Sequence, residues 1–401
     1  MSKSNETTPN VPTLRFKRYT TEWTKINLSN YLFVSSKRNK DGRFSKEDVL
    51  SVSGELGIVN QIALLGRSYA GESVLPYHIV EKGDIVYTKS PLALYPYGII
   101  KTNRNKVGIV STLYAVYKTK DNANNRFIEH YFSLKSRINN YLKPIVRIGA
   151  KHDMKIGNNE VLENIVAFPD ISEQCEIADF LDLLDNRISV QNKIISDLKV
   201  LKKELCNRYF KSVHNDMSLG YITLKDILTE RKEYCSKDGT YTHGTLSKEG
   251  VSPKTERYDR DFLVKNEDKQ YKVTHFNDIC YNPANLKFGV ICRNTYGDLI
   301  FSPIYVTFEI ADTVYPAYIE LFLTNANFIG RIRRYEQGTV YERMAVSSED
   351  FLSYETRMPT YEDQVKFADK IQRIQDKIEL ETSFLNYLQK QRKYFLNAMF
   401  I

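Results

Sequence analysis

Two stretches of the chain carry apolar residues at alternating intervals of three and four positions. In the first stretch they are Ile177, Leu181, Leu184, Ile188, Ile195, Leu198 and Leu205. In the second they are Phe367, Ile371, Ile374, Ile378, Leu385, Leu388, Phe395 and Met399. This spacing is typical of the seam of a coiled coil and predicts two long helices, each with one apolar stripe. A helix of roughly 40 residues is about 60 Å long.

Each predicted helix needs a partner, because an isolated helix cannot bury its own stripe. The two helices could pair with each other, or each could dimerise separately with another chain. Polar residues interrupt the two seams at equivalent places, Gln191 with Glu381 and Lys202 with Arg392. Because one chain carries both matched stripes, we expect an internal antiparallel pair.

The two helices belong to a larger internal repeat. Pro169, Gln174, Ala178 and Asp179 return 190 residues later as Pro359, Gln364, Ala368 and Asp369. Further upstream the offset grows in order, from 191 at 97–100 against 288–291, to 194 at Asp84 against Asp278, to 196 at Ile26 against Ile222. Loop insertions after a gene duplication produce such a gradual drift. The sequence therefore predicts two homologous units related by a pseudo-two-fold axis.

Each unit starts with a mixed α/β region that precedes its long helix. Short β-branched and aromatic runs between turn residues, such as 84–88, 108–117 and 302–310, are typical of strands. Helical stretches lie between them, at 126–141 and 315–335. We predict an α+β fold with a first domain at 1–168, a helix at 169–217, a second domain at 218–358 and a helix at 359–401. The order of the strands within each domain cannot be predicted.

Composition narrows the class of protein. The 401 residues suffice for two domains at roughly 150 residues each, and 42% hydrophobic residues can fill two cores. The five cysteines are scattered and the six histidines lack zinc spacing, so we expect a reducing compartment and no structural metal. No stretch approaches the roughly 20 apolar residues of a membrane span, and the polar start lacks a signal peptide. We therefore expect a cytoplasmic protein.

Catalytic motifs are absent from the sequence. It has no phosphate-binding P-loop, G-x-S-x-G elbow, H-E-x-x-H motif or glycine-rich dinucleotide fingerprint. Residues 281–285, Tyr-Asn-Pro-Ala-Asn, approach the Asn-Pro-Pro-Tyr element of adenine methyltransferases, but the second proline and the aromatic are missing. A turn that ends a strand is the better interpretation. Asp197 and Lys199 flank the seam residue Leu198, which favours a solvated helix face over a nuclease centre.

Basic and amide side chains cluster in the loops of both units. The net charge of +8 permits a polyanionic partner. Lysine and arginine neutralise phosphates, while arginine, asparagine and glutamine can bond to base edges. One basic cluster alone is more often a solvated surface, but its recurrence in both units favours nucleic-acid binding. The candidate DNA-binding residues are Lys37, Arg38, Lys40, Arg43, Lys101, Arg104, Lys106, Arg147 and Lys151 in the first domain, and Arg231, Lys232, Lys254, Arg257, Lys287, Arg293, Arg331, Arg334, Tyr341 and Arg343 in the second.

Together these features resemble the specificity subunit of Type I restriction–modification enzymes. The similarity rests on the motif Pro-x-x-x-x-Gln-x-x-Ile/Phe-Ala-Asp, which opens each long helix at Pro169 and Pro359. The closing segments at 201–210 and 391–400 and the start of the chain at 11–23 are also similar. Phe367 replaces the usual isoleucine in the second motif. The resemblance spans essentially the whole chain.

This resemblance implies a function for each part. Each domain would be a target-recognition domain that reads one half of a split double-stranded DNA target, and the helix pair would set the distance between the halves. Two methyltransferase subunits would bind the helices and methylate adenine N6 with S-adenosylmethionine. Two restriction and translocase subunits would use ATP and Mg²⁺, while this chain would bind no cofactor and catalyse nothing.

Because the two domains differ in sequence, the target would be asymmetric. Two alternatives from other classes are a self-contained DNA methyltransferase and a coiled-coil scaffold that does not bind DNA.

Overall fold

The chain divides into two compact units, Met1–Asn192 with Ser383–Ile401, and Lys193–Thr382. The computed structural model describes residues 10–92, 94–148, 154–236, 240–254, 270–337 and 344–401. Each unit holds one mixed α/β domain together with part of each long helix. The predicted α+β class is confirmed. Within the described ranges, no helix is both long enough and apolar enough to cross a membrane.

The first unit contains a four-stranded antiparallel sheet of order β2-β9-β6-β7. Strands β1 and β12, from opposite ends of the domain, form a separate antiparallel pair. The strands are β1 Thr24–Asn27, β2 Leu32–Val34, β3 Leu50–Ser53, β4 Gly57–Asn60, β5 His78–Val80, β6 Ile85–Thr88, β7 Ile100–Thr102, β8 Gly108–Val110, β9 Tyr114–Thr119, β10 Arg147–Ile148, β11 Met154–Lys155 and β12 Ile165–Phe168. The helices are α1 Gln61–Leu65, α2 Asn125–Tyr131, α3 Lys135–Leu142 and the long α4, Ile171–Asn215.

The second unit repeats this topology. Its sheet order is β14-β22-β19-β20, and β13 pairs with β23 as β1 pairs with β12. The strands are β13 Tyr221–Thr223, β14 Leu228–Glu230, β15 Tyr234–Cys235, β16 Thr242–Ser247, β17 Gly250–Pro253, β18 Tyr271–Thr274, β19 Ile279–Tyr281, β20 Ile291–Arg293, β21 Leu299–Phe301, β22 Val306–Ile310 and β23 Glu355–Arg357. The helices are α5 Pro316–Leu323, α6 Ala326–Ile332, α7 Ser348–Leu352 and the long α8, Tyr361–Ala398. A five-stranded sheet, β15-β18-β21-β16-β17, replaces the smaller pairs β3-β4 and β5-β8 of the first unit.

The repeat extends to buried polar side chains. Asn103 and Asn294, which are 191 positions apart, are both fully buried after an equivalent strand. The side-chain amide of Asn103 donates to the carbonyl oxygen of Lys106 at 3.0 Å, and that of Asn294 donates to Gly297 at 2.7 Å. Each asparagine thus closes the same turn. The predicted internal duplication is confirmed at the level of single hydrogen bonds.

The two long helices pack against each other in an antiparallel direction inside each unit. In the first unit, Asp185 accepts two hydrogen bonds from Arg392, one of them at 3.0 Å. In the second unit, Lys202 donates to Gln375 at 2.9 Å. As the residue number rises along α4, the number of its partner falls along α8. Lys202 and Arg392, which interrupt the two apolar seams, therefore each contact the opposite helix.

The residues that the sequence assigns to the helix interface are all shielded from solvent. Seven are buried and five are half-buried. The buried ones are Ile177, Leu181, Ile195, Phe367, Ile371, Ile378 and Leu388, and the half-buried ones are Leu184, Ile188, Leu198, Ile374 and Leu385. Those near each helix start pack into the domain as well, since Ile177 belongs to the first core and Phe367 to a cluster in the second unit.

Each domain core is completed by the far end of the other long helix. In the first unit, Phe400 contacts Trp23 and Phe127 at ring-centroid distances of 6.3 and 5.2 Å. In the second unit, Phe210, 190 positions earlier, contacts Tyr318 at 5.7 Å and Phe367 at 5.6 Å. Such aromatic contacts add to the hydrophobic stabilisation of the core. Each domain therefore depends on helical segments from both long helices.

A buried glutamine attaches α4 to the first domain. Gln174 is completely buried, and its side-chain amide nitrogen donates to the carbonyl oxygen of Pro169 at 2.9 Å. Its side-chain oxygen accepts from the backbone nitrogen of Asn124 at 2.9 Å. Asn124 is the residue that caps the start of α2. One side chain thus bonds to the chain before α4 and to the start of a domain helix.

The second glutamine repeats this geometry. Gln364 donates to the carbonyl oxygen of Pro359 at 2.9 Å and accepts from the backbone nitrogen of Tyr315 at 2.9 Å. Tyr315 occupies the N-cap position of α5, the position that Asn124 holds in α2. The proline and glutamine of the repeated motif are therefore explained by one hydrogen-bonding arrangement that is built twice.

An ion network reinforces the attachment in the first unit. Asp182 of α4 accepts hydrogen bonds from Arg104 at 2.6 Å, Arg126 at 2.9 Å and His130 at 2.8 Å. Burial alone would raise the pKa of Asp182, but the hydrogen bonds from His130 and Arg104 outweigh burial and lower the pKa well below its ordinary value. The carboxylate therefore stays charged and links α4 to α2 and to the loop after β7.

The positions equivalent to His130 and Asp182 carry no ionisable side chain in the second unit. Leu321 stands where the first unit has His130, and Gln372 stands where it has Asp182. Leu321 packs in the cluster that includes Tyr318 and Phe367. The two units therefore use the same backbone arrangement with different side-chain chemistry.

We expect Gln364→Ala to weaken the attachment of α8. The substitution leaves the half-buried backbone N–H of Tyr315 and carbonyl of Pro359 without their partner, at a cost of about 1–3 kcal/mol in the free energy of unfolding. Hydrogen exchange measured by mass spectrometry should show faster exchange at the start of α5. The control is Gln389→Ala, which removes an exposed glutamine from the same helix. Equal exchange at Tyr315 in both variants would refute the assignment.

We expect Asp182→Asn to lower the free energy of unfolding of the first unit by about 2–3 kcal/mol at pH 7, because three donors lose a charged acceptor. The folded-state pKa of Asp182 is depressed, so its contribution is present above the unfolded pKa of about 3.9 and is lost as the pH falls through the folded value. In urea titrations the difference from the wild-type chain should shrink below about pH 4.

Asp179→Asn is the matched control, because Asp179 is exposed and bonds to Arg126 alone within this network. A pH-independent difference between the wild-type chain and Asp182→Asn, or an equal loss in the control, would contradict the role of Asp182.

Candidate nucleic-acid interface

Outside the loop that follows β2, four of the predicted DNA-binding side chains are held by carboxylates of their own unit. These four are Lys101, Arg104, Arg231 and Arg293. Arg104 bonds to Glu129 at 2.9 Å in addition to Asp182. Arg231 donates two hydrogen bonds to the buried carboxylate of Asp278, at 2.8 and 3.0 Å. Charge-assisted pairs of this kind are strong, so these guanidinium groups are already engaged within the domain.

Two of these pairs join equivalent glutamates to equivalent strands of the two units, through cations at neighbouring positions of the strand. Glu129 lies 3.9 Å from the amino group of Lys101, and Glu320, 191 positions after Glu129, accepts from Arg293 at 2.9 Å. Burial lowers the pKa of Lys101, and the charge of Glu129 partly offsets this. Arg293 also donates to the side-chain oxygen of Asn277 at 2.8 Å. Both pairs connect the sheet to a helix, so replacing these cations acts first on the fold.

The loop after β2 presents the other basic residues of the first domain. Asn39 is buried, donates to the carbonyl oxygen of Phe44 at 2.8 Å and accepts from its backbone nitrogen at 3.0 Å. Asn39 also donates to the carbonyl oxygen of Val74 at 3.3 Å. These bonds fix an ordered loop. Its basic residues are Lys37, which is paired with Glu81 at 2.7 Å, Arg38, which donates to the carbonyl oxygen of Pro76 at 2.8 Å, and the exposed Lys40 and Arg43.

Three further basic residues of the first domain were predicted as candidates. Lys106 is exposed in the turn that Asn103 closes, and Arg147 is exposed on β10. Lys151 lies outside the described residues. Lys40, Lys106 and Arg147 have no ion pair within the described parts of the chain. They are the side chains whose charge is available to a polyanion.

The basic candidates of the second domain are dispersed. Lys232 and Arg334 are exposed, Lys254 and Lys287 are half-buried, and Arg331 lines a cavity. Arg257, Tyr341 and Arg343 lie outside the described residues. Arg334 donates to the carbonyl oxygen of Arg331 at 3.3 Å, so its position is set by the end of α6. The described candidates of the second domain thus do not form a single cluster.

The sequence analysis does not predict an exposed arginine–tyrosine pair in the first domain. The guanidinium of Arg67 lies 4.6 Å from the ring centroid of Tyr69, and that ring is 59% exposed. The pair follows α1, whose start is capped by Asn60. A flat, polar, exposed pair suits contact with bases. Its only sequence signal is an arginine and a tyrosine between Gly66 and Gly71.

Residues 281–285, which approach a methyltransferase motif in sequence, form a turn in the structure. The side-chain oxygen of Asn282 accepts from the backbone nitrogens of Ala284 and Asn285 at 3.1 and 3.2 Å. This is a turn after β19, as the sequence interpretation expected. Among the described residues, no three histidine, cysteine, aspartate or glutamate side chains are arranged to hold a metal ion.

One family model matches part of the chain. The model of the Type I restriction modification DNA specificity domain matches residues 76–200, from the start of β5 into α4. No curated protein sequence matches the chain.

Two solved structures are similar over nearly the whole chain. The S subunit of a Type I restriction–modification system from M. genitalium has a TM-score of 0.56 and 13% identity, covering 98% of this chain and 99% of that one. A chain from a structure on complex assembly and conformational transition of the type I R-M system has a TM-score of 0.54 and 12% identity, covering 94% and 96%. Residues 76–200 thus match the Type I restriction modification DNA specificity domain, and the chain as a whole has the fold of these two structures.

Proposed function

We propose that this chain recognises an asymmetric, bipartite double-stranded DNA target and directs methylation and restriction by partner subunits. The observation that carries the proposal is a fold built twice with different surfaces. Both units keep the sheet order and the buried glutamine attachment, whereas the loops differ in length and charge. Two similar domains with different loops suit two different half-sites.

The DNA contacts of the first domain are assigned to cations that no carboxylate neutralises. Lys40 and Arg43 are exposed on the loop that Asn39 orders. Lys106 is exposed in the turn after β7, and Arg147 is exposed on β10. Contacts to phosphates position a protein on DNA, and contacts to base edges read the sequence. Arg67 and Tyr69 are the described pair best suited to base edges. In the second domain we assign Lys232 and Arg334, with Arg257, Tyr341 and Arg343 remaining candidates outside the described residues.

The long helices supply a surface for partner subunits. In the first unit, Leu183, Val190, Tyr387 and Tyr394 are each at least 56% exposed. In the second unit, Val200, Leu201 and Leu380 are also exposed. Large apolar side chains on a helix that is already paired favour a further protein partner. We infer that methyltransferase subunits bind these faces, two per specificity subunit, and that two restriction subunits complete the enzyme.

The chemistry is assigned to those partners. S-adenosylmethionine, ATP and Mg²⁺ would be bound by the methyltransferase and restriction subunits, and this chain would act without a cofactor. The methyltransferase alternative predicts that the isolated chain transfers methyl groups to DNA. The scaffold alternative predicts no DNA binding even when partner subunits are present.

The direct test of the proposal is a map of methylated adenines in the host genome, with and without this gene. Loss of methylation at one split, asymmetric sequence is the expected result. An unchanged map in a host whose partner subunits are expressed would contradict the proposal.

We expect the double variant Lys40→Gln, Arg43→Gln to weaken DNA binding through the first half-site only. Each lost phosphate contact should reduce the slope of log affinity against log salt by about one, so the pair reduces it by about two. Fluorescence anisotropy with the assembled methyltransferase complex, at several salt concentrations, measures this. Duplexes with one altered half-site identify the half affected. The control is Lys135→Gln, which removes an exposed lysine at the start of α3. Equal weakening at both halves would refute the two-domain assignment.

We expect matched insertions of seven residues in both long helices to change the spacing of the half-sites. Seven residues add about 10 Å to a helix, which corresponds to about three base pairs of DNA. Insertion after Asn192 and after Thr382 keeps the paired segments of each unit together. Selection from duplexes with random spacer lengths should return a longer spacer with unchanged bases in each half. Altered bases would contradict the role of the helices as a spacer.

A further inference from the structure

A cavity in the second unit is lined by cations that no carboxylate balances. It measures about 250 Å³ and lies between the end of α4 and helix α6. Its basic lining consists of the cations Lys211, Arg331 and Arg357 together with His214, and the lining includes no aspartate or glutamate. Pockets for drug-sized ligands are roughly 300–1,000 Å³, so this cavity suits a smaller group.

Arg357 of β23 is the most deeply buried of these cations, with 5% of its surface exposed. Its terminal nitrogens donate to the backbone oxygen of Asp216 and to the sulfur of Met217, and its guanidinium lies 4.4 Å from the ring centroid of Tyr221. Its Nε atom is buried without a hydrogen-bond partner in the described parts of the chain.

Hydrogen bonds from Ser218 and the charge of Arg357 lower the pKa of Asp216, but its carboxylate makes no ion pair with Arg357. The carboxylate of Asp216 instead accepts from the hydroxyl and the backbone nitrogen of Ser218, at 2.6 and 2.9 Å. A buried guanidinium that meets only neutral acceptors is costly, because burial of a charge is normally offset by an opposite charge. This arrangement leaves room for an anion.

The other cations add to the same positive potential. Arg331 is half-buried and Lys211 is exposed, and neither makes an ion pair within the described ranges. Burial lowers the pKa of His214, and the charges of Arg331 and Arg357 lower it further. The C-terminus of α4 carries a partial negative charge of only about one half of an elementary charge. That charge is too small to balance two guanidinium groups and an ammonium group.

We propose that this cavity binds a phosphate group, held by Arg331, Arg357 and Lys211. Guanidinium groups match the geometry of phosphate oxygens, and lysine supplies a further charge. The phosphate could belong to the DNA backbone or to a free phosphate ion, and the chemistry of binding is shared. The inference does not depend on the proposed function, because it rests on the cavity alone.

The first unit lacks this set of cations. Asn140, Ala167 and Ile401 stand at the positions equivalent to Arg331, Arg357 and Lys211. A cavity in the first unit that includes Asn140 and Ile401 is lined by one cation, Arg137, which already donates to the carbonyl oxygens of Tyr131 and Leu396. The phosphate site is therefore a property of the second unit.

The test uses the full chain with inorganic phosphate at constant ionic strength, with chloride and acetate as reference anions. On binding, the ³¹P resonance of phosphate should broaden. Hydrogen exchange of the protein should slow at 206–215 and 326–332, and it should not change at 135–142 of the first unit. The double variant Lys211→Gln, Arg331→Gln should lose about tenfold or more in phosphate affinity. Arg333→Gln removes an exposed arginine just beyond α6 that pairs with Glu336, and this variant should bind phosphate as the wild-type chain does.

Arg357→Gln is a second variant. Its phosphate affinity is compared with that of the wild-type chain once circular dichroism shows that the two have the same fold. The proposal is overturned if phosphate protects no more than chloride, or if the double variant binds phosphate with unchanged affinity.

A competition experiment with duplex DNA identifies the source of the phosphate. If the DNA backbone supplies it, duplex DNA should displace inorganic phosphate, and the double variant should reduce the salt slope of DNA binding by about two. If a free ion supplies it, duplex should not compete and the slope should stay unchanged. Failure of the chain to bind DNA at all would count against the proposed function and leave the phosphate titration as the measure of this site.

Discussion

The buried side-chain amides of Gln174 and Gln364 are the contacts on which the arrangement of each unit depends. Each glutamine accepts from the N–H at the start of a domain helix and donates to a carbonyl just before the long helix. A shift of either helix start would therefore break one of these hydrogen bonds. Buried backbone groups tolerate almost no loss of partner. The helix start is thereby fixed to its domain, and the apolar stripes then determine which faces of α4 and α8 meet. The far end of each helix supplies Phe210 or Phe400 to the opposite domain core, so each unit is assembled from segments that are distant in sequence.

Around this shared attachment the two units differ in chemistry. The first unit surrounds it with charges, centred on Asp182 with Arg104 and His130. The second fills the equivalent place with Leu321 and aromatic rings. Ion pairs respond to pH and salt, whereas apolar contacts respond chiefly to temperature. A duplicated unit can therefore keep its backbone geometry while its two copies respond differently to the same solution conditions.

Local patterns predicted much of this fold, and long-range pairing limited the rest. The spacing of Ile177 and its successors predicted both helices, and the recurring Pro and Gln predicted the duplication. The order of the strands could not be predicted, because β2 pairs with β9, more than 80 positions later. Charge was the harder problem. Arg104 bonds to an aspartate 78 positions away and Arg231 to one 47 positions away. Local sequence patterns therefore cannot predict these ion pairs. The predicted DNA contacts remain predictions, and the described structure separates engaged cations from available ones.

The arginines that end α6 show why a basic run in sequence is not one surface. Arg331, Arg333 and Arg334 are near neighbours in sequence, yet Arg331 lies in α6 and the other two lie in the 3₁₀ turn that follows it, so their side chains point in different directions. Arg331 lines the cavity, Arg333 lies 3.8 Å from Glu336, and Arg334 is exposed. One segment thus supplies a cation to an internal site, a cation to a local ion pair and a cation to the solvent. Backbone geometry, rather than charge density along the chain, decides which of these cations an anionic partner can reach.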